Sequence, residues 1–245
     1  MIRVYMLGTG GAGSYEKRGY PAYLVETDNT IILIDAGFGV DSKIRSLGLR
    51  VCDIDAVFIS HEHFDHLLGI TGLLNMQFEE QCNKNLEVYG PQRAIEAVPI
   101  IIEKTGPRNA PKPKLIGLDI SYNKLMIGDV IVETIPVDHS VPTLGYSIES
   151  HGTRIVYSAD TRPTDIIRNL SEKAQLLLHE ASMPSHMVDI AIKTKHSTVK
   201  EAIDVGKNAE MIALIHIMHV AEDEARRASG RRVIVPVDGT IITIG

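Results

Sequence analysis

The chain has 245 residues, of which 44% are hydrophobic and 23% charged, and this fits one large α/β domain spanning 1–245. A formal net charge of −6 argues against a protein that binds nucleic acid by bulk electrostatic attraction. No apolar run approaches the roughly 20 residues of a membrane span, and the sequence opens directly into a strand. We therefore expect a cytoplasmic protein with no membrane segment.

The N-terminal segment is typical of β-structure interrupted by a glycine cluster. The apolar run Ile2–Leu7 ends in Gly8-Thr9-Gly10-Gly11-Ala12-Gly13. A phosphate-binding loop would need a following Lys-Ser/Thr and a helix, and neither is present, so a tight, close-packed turn is the better interpretation. Tyr23–Glu26 and Ile31–Asp35 predict a hairpin. Asp35 then has two interpretations, orienting a ligand histidine or capping the next helix.

A dense group of metal-ligand residues follows the next strand. Ile54–Ile59 is an apolar run typical of a buried strand, and residues after His66 recur near helical spacing. Between them lie four potential ligands, His61, His63, Asp65 and His66. Imidazoles suit borderline metals such as zinc, a carboxylate adds charge and can take a proton, and burying all four without a ligand would be costly. This spacing predicts a metal site at the carboxyl end of a strand, on the turn into a helix.

Polar residues also close several predicted strands of the second half. His139, Asp160, Glu180 and His216 each follow or end such a run. If those runs form one sheet, the four side chains would meet His61 at one edge, where a site for two metals could be built. The predicted strands are Leu115–Ile120, Lys124–Ile127, Val130–Val137, Leu144–Glu149, Arg154–Ser158, Ala174–Leu178 and Ile212–Ile217.

Other segments carry weaker signals. Thr105–Lys114 contains three prolines and is either a proline-rich connector or a loop that covers substrate. Cys52 and Cys82 fit no metal or redox spacing, so we expect free buried thiols. His179 would orient a ligand or hold a strand end, and His219 would line the pocket or be exposed. His151 and His186 are expected to be exposed.

Six segments, in this order along the chain, resemble the metallo-β-lactamase superfamily and its RNase Z-like branch. The first, His61-Glu62-His63-Phe64-Asp65-His66-Leu67-Leu68-Gly69, matches the signature HxHxDHxxG. The others are Val137-Asp138-His139-Ser140, Tyr157-Ser158-Ala159-Asp160, Leu178-His179-Glu180-Ala181-Ser182, His196-Ser197-Thr198 and Leu214-Ile215-His216-Ile217.

The resemblance implies a four-layer αββα sandwich and a binuclear-zinc phosphodiesterase, with manganese or iron as alternative metals. One zinc would be held by His61, His63 and His139, the other by Asp65, His66 and His216, with Asp160 bridging. A hydroxide held by the metals would attack phosphorus. Asp65 would act as base, and His196, oriented by Glu180, would donate a proton to the leaving oxygen.

The sequence departs from the tRNA processors of this branch. Only 21 positions separate His139 from Asp160, which leaves room for one hairpin and not for the long arm that clamps tRNA. Glu16-Lys17-Arg18-Gly19-Tyr20 also differs from their basic, asparagine-containing motif. We therefore expect a phosphodiester substrate that is a small or cyclic diester, or an RNA 3′ end, and we expect a homodimer.

Two other functions remain open from sequence. One is a sulfatase or an ester or thioester hydrolase on the same scaffold, and the other is a metal-binding protein without catalysis. Asp rather than Cys at position 160 disfavours a β-lactamase. The Glu180–His196 pair disfavours the binding protein, because binding alone needs no proton donor.

Overall fold

The computed structural model describes residues 1–13, 15–106 and 111–245. A seven-stranded sheet holds most of the first half of the chain, in the order β14-β1-β2-β3-β4-β5-β6. Strands β1 to β3 and β14 pair antiparallel, whereas β3 to β6 pair parallel. The bounds are β1 (Ile2–Gly8), β2 (Ala22–Glu26), β3 (Ile31–Ile34), β4 (Ala56–Phe58), β5 (Glu87–Pro91), β6 (Lys114–Leu118) and β14 (Ile241–Ile244).

A second seven-stranded sheet holds the other strands, in the order β13-β12-β11-β10-β9-β8-β7. Strands β10 to β13 pair parallel, and β7 to β10 pair antiparallel, so that β8, β10, β11 and β12 all run in one direction. Their carboxyl ends therefore share one edge of the sheet. The bounds are β7 (Lys124–Ile127), β8 (Val130–Pro136), β9 (Leu144–Ser150), β10 (Thr153–Tyr157), β11 (Leu176–Glu180), β12 (Met211–Ile215) and β13 (Val233–Ile234).

Helices cover the outer face of each sheet. Those of the first half are α1 (Val40–Ser46), α2 (Phe64–Leu67), α3 (Ile70–Glu79) and α4 (Gln92–Thr105). Those of the second half are α5 (Asp165–Ser171), α6 (Val188–Thr194), α7 (Val199–Val205) and α8 (Glu222–Ala228). Thr198 caps α7 through a capping box with Glu201.

Three buried clusters show how the layers pack. The central cluster joins the inner faces of both sheets, where Phe58 contacts Tyr146 and Tyr23 contacts Tyr157. A second cluster lies between the first sheet and α1, α3 and α4, and a third lies between the second sheet and α5, α7 and α8. Because the two sheets bury their inner faces against each other, the predicted four-layer αββα sandwich is confirmed.

The glycine cluster is a close-packed turn, as predicted. A Cβ on Gly8 would lie 1.7 Å from the carbonyl oxygen of Tyr20, so no other residue fits there. A Cβ on Gly11 would lie 2.9 Å from Cε1 of His216. The turn thus brings the N-terminal backbone against one of the predicted metal ligands.

The prediction of free buried cysteines is wrong. Cys52 and Cys82 form a disulfide with a Cα–Cα distance of 5.3 Å, and both residues are only partly buried. The 30 residues between them hid the pairing, since only the packing of α3 brings the two segments together. A disulfide is uncommon in a reducing cytoplasm, so the cytoplasmic location stays a prediction.

Two further predictions concern loops and membranes. The predicted Thr105–Lys114 loop falls partly on residues 107–110, which lie outside the described residues; Thr105 itself ends α4 and Lys114 opens β6. Within the described ranges, no helix combines the length and the apolar character needed to cross a membrane.

Candidate metal centre

The first ligand group gathers three imidazoles and one carboxylate. His61 and His63 lie just after β4, His139 follows β8, and Asp160 follows β10. The Nε2 atom of His61 is 2.9 Å from Nδ1 of His63, which is 3.3 Å from Nε2 of His139. Ligand atoms of all four residues lie within 4.8 Å of one another, close enough for one cation.

The second group comprises Asp65, His66 and His216. Asp65 and His66 lie in α2, which begins two residues earlier than predicted, and His216 follows β12. The Oδ2 atom of Asp65 is 3.4 Å from Nε2 of His216 and 3.6 Å from Nε2 of His66. Oδ2 of Asp160 lies 3.3 Å from each of these two Nε2 atoms. Asp160 therefore contacts both groups, as a carboxylate that bridges two metals would.

The residues present fit cations of the zinc class. Nε2 of His66 and Oδ1 of Asp160 are buried without a hydrogen-bond partner among the described residues, which is costly unless something else binds them. Burial, together with the neighbouring His66, holds the pKa of His61 well below its ordinary value, and burial also lowers the pKa of His139. Neutral imidazoles are the form that ligates a metal, and His61 and His139 meet that condition.

Asp160 stays ionised in spite of its burial. Burial alone would raise the pKa of this carboxyl, but the charges of His216 and His66 outweigh it and hold the pKa well below the ordinary value. A fixed negative charge between the two groups is what two nearby cations require.

Asp35 orients the ligands from behind. Its Oδ2 atom accepts hydrogen bonds from Nδ1 of His66 at 2.7 Å, the hydroxyl of Tyr157 at 2.5 Å and Oγ of Ser60 at 2.9 Å. Its Oδ1 atom accepts from the backbone N–H of Ser60 at 2.7 Å. Because Gly39, not Asp35, occupies the N-cap of α1, the structure supports the ligand-orienting interpretation.

Several residues at this edge adopt a backbone conformation that is rare for residues other than glycine. Asp35, Ala159, Lys195 and His216 have φ between 50° and 60°, in the left-handed region. Such strain concentrates at functional sites, where the surrounding structure maintains it. Lys195 is an example of a strained residue that serves the site, since its carbonyl accepts a hydrogen bond from Nδ1 of His139 at 3.0 Å.

The predicted proton donor lies beside these groups. Nδ1 of His196 is 2.9 Å from Oε1 of the fully buried Glu180 and 4.0 Å from Oδ2 of Asp160. Burial would lower the pKa of His196, but the charge of Glu180 and the hydrogen bond to it raise the pKa to about 9. Arg162 donates to the carbonyl of His196 and also pairs with Glu201, so the backbone of this segment is fixed.

The other histidines lie outside the centre. His179 is buried and its Nδ1 donates to the carbonyl of Glu180 at 2.7 Å, so it holds the end of β11. His219 is exposed, as are His151 and His186, which agrees with the sequence interpretation.

Sequence reasoning missed the polar residues that support the ligands. Ser60, Ser182, Arg162 and Lys195 all contact a predicted site residue or its neighbour. Ser182 ends one of the six motif segments and Ser60 directly precedes another, and these positions were the one available signal.

Comparisons with known proteins agree with this fold. The sequence matches the family described as Beta-lactamase superfamily domain over residues 30–219. A Ribonuclease Z of Thermococcus kodakarensis is 28% identical, over 99% of this chain and 95% of its own. A Ribonuclease Z of Metallosphaera sedula is 28% identical, over 97% of this chain and 95% of its own.

Solved structures show the same architecture. The metallo-beta-lactamase fold protein YhfI from Bacillus subtilis superimposes with a TM-score of 0.83 over 98% of both chains, at 22% identity. The short form of human tRNase Z gives a TM-score of 0.82 over 99% of both chains, at 24% identity. At such identities these likenesses establish the fold alone. With the family match covering most of its length, the chain belongs to the β-lactamase superfamily.

Proposed function

We propose that this chain is a binuclear metal-dependent phosphodiesterase, with residues 1–245 acting as one hydrolase unit. The family and the relatives named Ribonuclease Z support a metal-dependent nuclease or phosphodiesterase. The observation that carries the finer proposal is the position of Asp160, whose Oδ2 lies within 4.0 Å of both ligand groups and of His196. Ligands from both halves of the chain thus meet beside a histidine–carboxylate pair.

Each predicted ligand has a place in this proposal. His61, His63 and His139 would hold one cation, Asp65, His66 and His216 would hold the other, and Asp160 would contact both. Two such cations, zinc by preference and manganese or iron as alternatives, would supply Lewis-acid chemistry that activates a water and neutralises charge on phosphorus.

Side chains of the protein accept and donate the protons of this reaction. Asp65, whose carboxylate is largely buried beside His216, accepts the proton of the attacking water. Its pKa lies below the ordinary value because the charges of His66 and His216 outweigh burial. His196 donates from its Nε2 atom to the leaving oxygen, while Glu180 holds Nδ1 on the opposite side of the ring.

The shape of the chain favours a small substrate. Between His139 and Asp160 the structure contains β9, β10 and short connections, with no projecting arm. The alignment with the Thermococcus kodakarensis protein runs over 304 positions, 59 more than the 245 residues of this chain, so that relative carries segments without a counterpart here. Arg18, the arginine of the N-terminal loop, is buried in an ion pair with Glu222 and cannot bind a phosphate. We propose a small or cyclic diester, or an RNA 3′ end, as substrate.

A substrate comparison tests this function. Protein reconstituted with zinc should hydrolyse a small phosphodiester faster than a sulfate ester or a thioester. It should cut a 3′-extended tRNA weakly, because tight tRNA binding depends on many Lys/Arg–phosphate contacts. Preferential sulfate or thioester hydrolysis would overturn the phosphodiesterase assignment, and efficient, correctly placed tRNA cleavage would overturn the small-substrate proposal.

A further inference from the structure

Ser182 lies at the junction of two parts of the candidate centre. It follows β11 by two residues and is fully buried. Its Oγ atom is 2.8 Å from Oε2 of Glu180 and 2.8 Å from Nδ1 of His216. Its backbone N–H donates to the same Oε2 at 3.1 Å. One hydroxyl thus touches the carboxylate behind His196 and the ring of a predicted metal ligand.

The direction of these hydrogen bonds follows from the geometry of His216. Its Nε2 atom faces Oδ2 of Asp65 and of Asp160, at 3.4 and 3.3 Å, so with a metal bound there Nε2 would be the ligating nitrogen and Nδ1 would carry the hydrogen. Nδ1–H therefore donates to Oγ of Ser182. The hydroxyl hydrogen of Ser182 goes to the charged Oε2 of Glu180 at 2.8 Å in preference to the carbonyl of His216 at 3.2 Å.

The two oxygens of Glu180 consequently have separate tasks. Oε1 accepts from Nδ1 of His196 and from the backbone N–H of Thr161, both at 2.9 Å. Oε2 accepts only from Ser182, through its hydroxyl and its N–H, among the contacts of the described residues. The carboxylate plane is fixed as long as both sides are engaged.

The same arrangement occurs on the other side of the centre. Nδ1 of His61 is 2.9 Å from Oγ of Ser60, which donates to Oδ2 of Asp35 at 2.9 Å. There too a serine joins a predicted ligand to a buried carboxylate. Asp35, however, has no contact with His196 among the described interactions, so Ser60 supports ligands alone.

We propose that Ser182 is a positioning residue that couples the metal ligand His216 to the proton-donating pair Glu180–His196. This inference rests on the proposed function. The serine fixes the tautomer and ring plane of His216, and it holds Glu180 in the orientation that presents Oε1 to His196. Loss of the hydroxyl should weaken metal binding and proton donation together, whereas loss of Ser60 should weaken metal binding without a selective effect on proton donation.

An isosteric pair of variants separates the effect of the Ser182 hydroxyl from the effect of side-chain volume. Ser182→Thr keeps the hydroxyl and Ser182→Val replaces it with a methyl group of similar size, so a difference between them reports the hydrogen bonds. Ser60→Val is the matched control. Each protein is assayed for zinc affinity by chelator competition. Each zinc-loaded protein is then assayed on a bis(nitrophenyl) phosphate, which has a good leaving group, and on a dinucleotide, whose alkoxide leaving group needs a proton.

We expect Ser182→Val to bind zinc about 10- to 100-fold more weakly than Ser182→Thr, the usual effect of removing a partner of a ligand histidine. We also expect its rate on the dinucleotide to fall at least about tenfold more than its rate on the nitrophenyl diester, a part of the 10²–10⁴-fold that general acids contribute. Ser60→Val should lose zinc affinity with equal rate losses on the two substrates.

Equal zinc affinity in Ser182→Thr and Ser182→Val would overturn the link to His216. Equal rate losses on both substrates in Ser182→Val, or a selective loss in Ser60→Val, would overturn the link to His196. If the wild-type protein hydrolysed neither diester, the proposed function would fail, whereas the zinc competition would still decide the link between Ser182 and His216.

Discussion

Replacing Asp35 with asparagine should lower both stability and metal affinity. The carboxylate is fully buried and accepts four hydrogen bonds, three at Oδ2 and one at Oδ1. Asparagine keeps the shape and tolerates the φ of 56°, so the substitution isolates the hydrogen bonds and the charge. Alanine would add backbone strain to the effect.

The magnitude follows from the hydrogen bonds that an amide cannot make. In the better orientation of the asparagine, its amide oxygen accepts from the three groups that donate to Oδ2 of Asp35. Its NH₂ group then faces the backbone N–H of Ser60, and two donors cannot pair with each other. One buried N–H left unpaired costs about 1–3 kcal/mol, and the other bonds lose their charge assistance. We expect the free energy of unfolding to fall by roughly 2–5 kcal/mol. Because His66 loses its charged partner, zinc affinity should fall about 10- to 100-fold.

Urea unfolding of the metal-free protein and chelator competition for zinc measure the two effects. Asp129→Asn is the matched control, since its carboxylate accepts from the hydroxyls of Thr27, Thr30 and Ser150, none of which is a predicted ligand. That variant should lose stability and keep its zinc affinity. If Asp35→Asn bound zinc as tightly as the wild type, or if both variants lost affinity equally, Asp35 would not be the residue that orients the ligands.

Three further predictions can be tested. His196→Ala should retain both metals and lose about 10²–10⁴-fold in rate on an alkoxide-leaving diester, with a smaller loss on a nitrophenyl diester; equal losses in steady-state assays would remove it from the donor role. Elemental analysis should find close to two metal equivalents per chain, and a single equivalent that survived Asp65→Ala and His216→Ala would contradict two sites. Arg18→Ala leaves Glu222 without its buried partner, although Tyr15 and Arg226 still bond it, and should cost about 1.5–3 kcal/mol near neutral pH. Hydrogen bonds from Arg18, Tyr15 and Arg226 outweigh burial and lower the pKa of Glu222 to about 2, from an ordinary 4.5, so its contribution is present above pH 4.5 and is lost as the pH falls towards 2. The difference in unfolding free energy between wild type and Arg18→Ala should therefore shrink over that window, and a constant difference would be inconsistent with this ion pair.

Local pattern was sufficient to locate the strands and the candidate ligands. Short β-branched runs predict buried strands, and parallel strands bring their carboxyl ends to one edge, so the positions of His61, His139, Asp160 and His216 followed from the sequence alone. The layer order came from the resemblance of the motifs, because periodicity does not specify which sheets pack face to face.

Contacts between distant segments were decided only by the tertiary structure. Cys52 meets Cys82 across 30 residues, and Arg18 meets Glu222 across 204. Ser182 reaches His216 across 34 residues because β11 and β12 lie side by side in the sheet. A serine, an arginine or a cysteine carries no local signal of its partner, since the partner is set by how sheets and loops pack. Local patterns of residues therefore identify the side chains that could bind metal, whereas the packing of the two sheets sets which residues hold those ligands in place.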